Sequence, residues 1–138
     1  MVRIVFNYDK DNRPRAEVVL SHGKREFITA PIIDSGADIT VIPKSIGEEL
    51  GLAQPTEKEI DSIKNEKMIS ADGSHLDYVL RKVVLTIGNL KFEMEVAWTF
   101  NKDGQFLLGR DIFEDFDILF KQNPNKTIIF ETEKTVFN

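Results

Sequence analysis

The chain has 138 residues, with 18 Lys and Arg against 23 Asp and Glu, for a formal charge of −5. At 41% apolar and 30% charged it has a globular composition, too hydrophobic for a disordered chain, and the length predicts one domain over residues 1–138. No apolar run nears the roughly 18–20 residues that span a bilayer, the lack of cysteine excludes disulfides, thiolate metal sites and cysteine catalysis, and the acidic balance argues against a nucleic-acid partner.

The first apolar stretch, Val2-Arg3-Ile4-Val5-Phe6, gives way to Asn7-Tyr8-Asp9-Lys10 too soon for a signal-peptide core, so the expected compartment is the cytoplasm and no membrane partner is expected. Polarity alternates with period two over much of the chain, which predicts half-buried strands. A strand over 2–6 is followed by a polar turn over 9–14. Strands over 16–20 and 26–33 are joined by Ser21-His22-Gly23-Lys24, where Gly23 can supply a positive φ. Pro31 marks the second as an edge or bulged strand. Residues 43–50 predict a short helix, with Pro43 at its start and Gly51 just past its end.

Residues 53–67 are polar and weakly patterned, with strand character only around 60–63. Three turn signals follow. Asp72-Gly73 separates residues 68–70 from a strand near 78–80, Gly88-Asn89 separates 83–87 from 90–96, and Asp103-Gly104 separates 97–100 from 106–108. Ile112, Phe113 and Phe116 have helical spacing over 110–116, and 118–120 with 127–130 form a last hairpin. Phe92, Met94 and Val96 share a strand face and read as core. The sum is one mostly-β domain, a closed or strongly curled antiparallel sheet with two short helices.

Two segments carry chemistry. In Pro31-Ile32-Ile33-Asp34-Ser35-Gly36-Ala37-Asp38-Ile39-Thr40-Val41-Ile42-Pro43 an apolar strand delivers the Asp34 carboxylate into a tight turn of small residues, where Gly36 lets backbone or substrate approach. By itself such an aspartate is more often a turn cap that accepts its own backbone N–H bonds. In Phe106-Leu107-Leu108-Gly109-Arg110-Asp111-Ile112-Phe113 a strand ends at a glycine and runs into a helix opened by Arg110. That guanidinium is suited to bidentate pairing with a carboxylate. Metal ligation by Asp72, His75 and Asp77 lacks a ligand signature, so no metal and no cofactor is expected.

Together, Asp-Ser-Gly-Ala-Asp-x-Thr-Val-Ile-Pro and, some seventy residues on, Leu-Leu-Gly-Arg-Asp resemble the retropepsin-like aspartic proteases, the single-lobed relatives of pepsin. The resemblance covers about residues 16–131. It implies an acid-protease-type β-barrel with one lobe per chain, and catalysis by Asp34. It further implies that the Ser35 hydroxyl links two catalytic loops across the site and that the Gly36 carbonyl faces substrate. Ala37 belongs to the same supporting loop, Asp38 pairs with Arg110 to brace it, and Gly109 lies in the segment that crosses beneath. Ala71, Asp72, Gly73 and Ser74 fall at the flap tip, and Ile39 at a substrate pocket.

Two features depart from the family pattern. Ser35 stands where Thr is commoner, so the hydroxyl is kept without the methyl that stiffens χ1. The chain also continues past the Gly-Arg-Asp helix into a hairpin, where the viral enzymes end on one strand. Because this chemistry needs two carboxyls and the chain holds one Asp-Ser-Gly, the resemblance implies a homodimer acting on polypeptide, with residues 1–6 and 135–137 as candidate interface strands. The competing expectation is a non-catalytic dimerisation or peptide-binding module that keeps the fold without turnover.

Overall fold

The computed structural model describes residues 1–65, 68–69, 75–101, 104–123 and 125–134. Its organising element is a long hairpin. Strand β8 (Tyr78–Ile87) pairs antiparallel with β9 (Leu90–Thr99) along all ten residues of each, turning at Gly88, whose φ of +59° is left-handed. The sequence divides each of these strands in two, because Arg81 and Lys82 interrupt the alternation of β8. In the structure the ladder is continuous, and Lys82 stands opposite Glu95.

Seven strands form a curled sheet around this hairpin. With β2 (Val18–His22), β3 (Arg25–Thr29), β4 (Ile32–Ile33), β5 (Val41–Ile42) and β10 (Leu107–Leu108), the order is β3-β2-β8-β9-β5-β10-β4. Gly23 turns β2 into β3 with φ +60°, as expected. The strand expected over 26–33 is broken at Ala30-Pro31, where Pro31 cannot donate to a ladder, and its two pieces become the opposite edges of the sheet. Nor do 97–100 and 106–108 form a hairpin, because β5 inserts between β9 and β10.

A second sheet joins the chain's two ends. Strand β12 (Thr127–Thr132) lies between β1 (Val2–Asn7) and β11 (Asp117–Lys121), antiparallel to both. Strands β6 (Met68–Ile69) and β7 (His75–Leu76) make a third, antiparallel pair. The core lies between the sheets, around Trp98, Phe130, Leu20, Leu85, Leu108 and Ile112, each 0% exposed. Phe130 stands edge-on to Phe6 and to Phe116, with centroids 5.6 and 5.5 Å away, the preferred aromatic geometry.

Helix α1 (Lys44–Glu49) forms where expected. Pro43 is its N-cap, and the N–H groups of Gly51 and Leu52 close its end on Glu48 and Gly47 carbonyls, a left-handed Gly cap. Buried Gly47 packs flat on the Trp98 ring, where a side chain would collide. A second α-helix, α2 (Glu57–Asn65), replaces the weak strand expected at 60–63. Thr56 and Glu59 open it by reciprocal side-chain-to-backbone bonds of 3.0 and 3.2 Å, a capping box. Arg81 then ties it to β8, reaching both Glu59 carboxylate oxygens at 2.6 and 2.9 Å. These Arg81 bonds, together with the Thr56 N–H, hold the Glu59 carboxyl down at about 2. No described helix is long and apolar enough to cross a membrane.

Candidate active site

Strand β4 pairs in parallel with β10, and the ladder carries one step further because the Asp34 N–H donates to the Leu108 carbonyl at 2.8 Å. This fixes where the carboxylate leaves the sheet. The chain then turns tightly. The Ala37 N–H donates to the Asp34 carbonyl at 3.2 Å, and the Gly36 N–H donates to Asp34 Oδ1 at 2.8 Å. A Cβ on Gly36 would sit 3.1 Å from that same oxygen, so the glycine keeps the carboxylate in reach of its turn. Asp34 therefore does cap its own loop, but through one oxygen. Among the described residues nothing occupies Oδ2. Asp34 is half-buried, while Ser35 and Gly36 are exposed.

A second segment supports the first from behind. The Arg110 N–H donates to the Ala37 carbonyl at 2.8 Å. Gly109 is buried against the same loop so closely that a Cβ would lie 2.5 Å from the Ile39 carbonyl and 2.8 Å from the Ala37 oxygen. Those contacts are backbone, which cannot swing aside, so only glycine fits. The Arg110 guanidinium meets the Asp38 carboxylate, as the sequence predicts. Both side chains are exposed, at 58% and 80%, so solvent screening leaves the pair little strength in a single chain.

Thr40 and Asp111 complete the support, and neither stood out as a site residue in the sequence. Thr40 is fully buried. Its hydroxyl donates to Asp111 Oδ1 at 2.8 Å and accepts the buried Gly109 N–H at 3.2 Å. Its backbone N–H donates to Asp111 Oδ2 at 2.9 Å, and Oδ1 also accepts the Ile112 N–H at 3.0 Å. Three donors thus converge on one carboxylate, an arrangement matched to an ionised acceptor. The available signals were a lone hydroxyl in the apolar run 39–42 and the acid that ends Gly-Arg-Asp.

Other expected site residues are placed less fully. Ile39 is half-buried next to Asp38. Ser35 makes no side-chain hydrogen bond among the described residues. Ala71, Asp72, Gly73 and Ser74, and residues 135–137 at the chain's end, lie outside the described residues. Strands β6 and β7 pair on either side of 71–74. Among the hollows of the described surface, one of about 280 Å³ lies between α2 and β8 and one of about 500 Å³ beside Pro43 and Gly104. Neither is lined by Asp34. No described cluster of three or more His, Asp or Glu could hold a metal ion.

No protein-family model and no curated protein matches the sequence. Solved structures do match the shape. A retropepsin-like aspartic protease from Rickettsia conorii superposes with a TM-score of 0.60 at 14% identity, covering 94% of this chain and 90% of that one. The EIAV protease, solved with the inhibitor HBY-793, superposes with a TM-score of 0.56 at 17% identity, covering 79% and 92%. At these identities the likeness speaks for the fold. A curled sheet around a long hairpin, with an aspartate-bearing turn braced from beneath by a Leu-Leu-Gly segment, is the retropepsin-like fold, one lobe to the chain.

Proposed function

We propose that the chain is an aspartic endopeptidase that hydrolyses extended polypeptides, with its pair of catalytic aspartates assembled from two copies of Asp34. The observation that carries this reading is the Asp34 loop itself. The carboxylate sits half-buried at the end of a strand, one oxygen held by the Gly36 N–H and the other directed to no described group. Behind it, Gly109, Arg110, Thr40 and Asp111 fix its backbone through a chain of bonds. A peptide-binding module would need none of that precision around a carboxylate.

The chemistry follows from the general behaviour of aspartic proteases, in which two carboxyls about 3 Å apart cannot both ionise and share one proton. The ionised one takes a proton from a water as that water attacks the scissile carbonyl. The protonated one donates a hydrogen bond to the same carbonyl oxygen, and a proton then passes to the leaving amine as the C–N bond breaks. The pair titrates as a unit. With a single Asp-Ser-Gly in the sequence, the second carboxyl comes from a second chain across a twofold axis. On this reading the Ser35 hydroxyl, exposed in the single chain, links the two loops across that axis. The segment containing Ala71, Asp72, Gly73 and Ser74 serves as the flap over bound peptide, and Ile39 lines a side-chain pocket.

The test compares wild type with Asp34→Asn on an unstructured protein substrate, with the oligomeric state of both measured. Cleavage by wild type alone, with both proteins dimeric, is the expected result. Dimers that bind the polypeptide without cutting it would mean a binding module, and equal cleavage by both would remove Asp34 from the chemistry.

A further inference from the structure

The three-stranded sheet carries three of the exposed large apolar side chains of the described surface, and a fourth adjoins it. Val5 is 54% exposed on β1, Leu119 55% and Phe120 37% on β11, and Met1, just before β1, is 75% exposed. Val5, Ile129 and Leu119 stand side by side across the three strands, with Ile129 buried between its two exposed neighbours. Strand β11 is the rim of this sheet. Along its outer edge its backbone N–H and C=O groups face no described strand, and it carries neither proline nor a bulge to blunt it.

The charge pattern of β11 is more specific than its hydrophobicity. Asp117 stands directly opposite Glu131 of β12, and Glu131 stands opposite Arg3 of β1. Glu131 is satisfied on the β1 side, where Arg3 Nε lies 3.4 Å from its carboxylate. Asp117 is therefore left on the rim beside a like charge, an unfavourable neighbour. At the other end of β11, Lys121 stands opposite neutral Thr127, and no described acid pairs with it.

We infer that β11 is the contact strand of the homodimer, pairing antiparallel with β11 of a second copy in the register that sets Leu119 against Leu119. The sequence Asp117-Ile118-Leu119-Phe120-Lys121 is self-complementary about its centre. In that register each Asp117 faces Lys121 of the second copy at both ends of the contact, and each Ile118 faces Phe120. The result is a continuous six-stranded antiparallel sheet in the order β1-β12-β11-β11-β12-β1. The cation missing beside Asp117 is supplied, and Leu119 is buried on Leu119. Such a contact is isologous, as a twofold requires.

The other rims fit less well. On β1 the lone charge, Arg3, is already used by Glu131. On β3 no register about Phe27 opposes Arg25 to Glu26, and β4 has two residues. Strand β11 also follows the 3₁₀ helix Arg110–Glu114 after two residues, so the dimer contact and the brace under the Asp34 loop lie on one continuous stretch of chain. The link to activity rests on the reading of Asp34 as half of a shared pair; the contact itself does not.

Charge reversal separates the two ideas. D117K and K121D are made singly and together, and sedimentation velocity is measured alongside cleavage of an unstructured polypeptide. Each single variant puts like charges at both ends of the contact and should weaken self-association by roughly 10- to 100-fold. Neither should unfold, since D117K places a cation beside Glu131. An equimolar mixture of the two single variants opposes unlike charges at every position and should dimerise and cleave like wild type, as should the double variant. Singly reversed proteins that dimerise like wild type, a mixture that stays monomeric, or a monomeric wild type would overturn the contact. Restored dimers without cleavage by any of the proteins would leave the contact standing and remove the proposed catalysis.

Discussion

Thr40 offers the sharpest test of how the Asp34 loop is held. Replacing it with Val keeps shape and volume but removes the hydroxyl that links Gly109 to Asp111. The bond to the Asp111 carboxylate is charge-assisted, worth about 1.5–3 kcal/mol, and the buried Gly109 N–H is left without an acceptor at a cost of about 1–3 kcal/mol. Some of this returns, because Asp111 keeps the Thr40 and Ile112 N–H groups. A net loss of about 3 kcal/mol is expected. With a urea slope of about 1–3 kcal/mol/M, the unfolding midpoint should fall by roughly 1–3 M with the slope unchanged. Trp98 is the single tryptophan and fully buried, so its fluorescence reports the transition, at one fixed protein concentration because association adds to apparent stability. Thr40→Ser keeps the hydroxyl and should lose only about 1 kcal/mol for the missing methyl. A Val variant within about 0.5 kcal/mol of wild type, or more stable than the Ser variant, would refute the bridge.

Gly109→Ala should cost about 1–3 kcal/mol, because its Cβ meets backbone atoms of Ile39 and Ala37 at 2.5–2.8 Å. Amide exchange at Arg110 should quicken as its bond to Ala37 is forced apart, and unchanged exchange would contradict the tight crossing. Acid stability should depend on Glu59. Its carboxyl lies at about 2 in the fold against 4.5 when unperturbed, so its contribution is fully present above about 4.5 and is lost as pH falls towards 2. The melting temperature of wild type should exceed that of Glu59→Gln at neutral pH, and the gap should close across that window. A constant gap would mean the Arg81 contact does not depend on the charge.

Much of this arrangement is legible in the sequence where the cause is local. Gly23, Gly88 and Gly51 all take the positive φ that a turn or cap requires, and the Asp34 turn follows from a short motif, whereas the Asp38–Arg110 contact spans 72 residues and is legible only through the family resemblance. What escapes a local reading is set at a distance. Among its described side chains helix α2 half-buries only Glu59 and Ile63, and it is fixed by Arg81, 22 residues after Glu59. The strand over 26–33 splits because Pro31 sends its halves to opposite edges. A turn such as Asp103-Gly104 signals a reversal but not that β5 will lie between the strands it joins. Thr40 and Asp111 are 71 residues apart, and a lone hydroxyl in an apolar run looks like an interruption until its partner is known.

The most direct measurement is the separation of the two Asp34 carboxyls in a crystal structure of the assembled dimer. Their nearest oxygens should lie about 3 Å apart across the twofold axis, close enough to share a proton. A dimer in which these groups stand on separate faces, each open to solvent, would contradict the account.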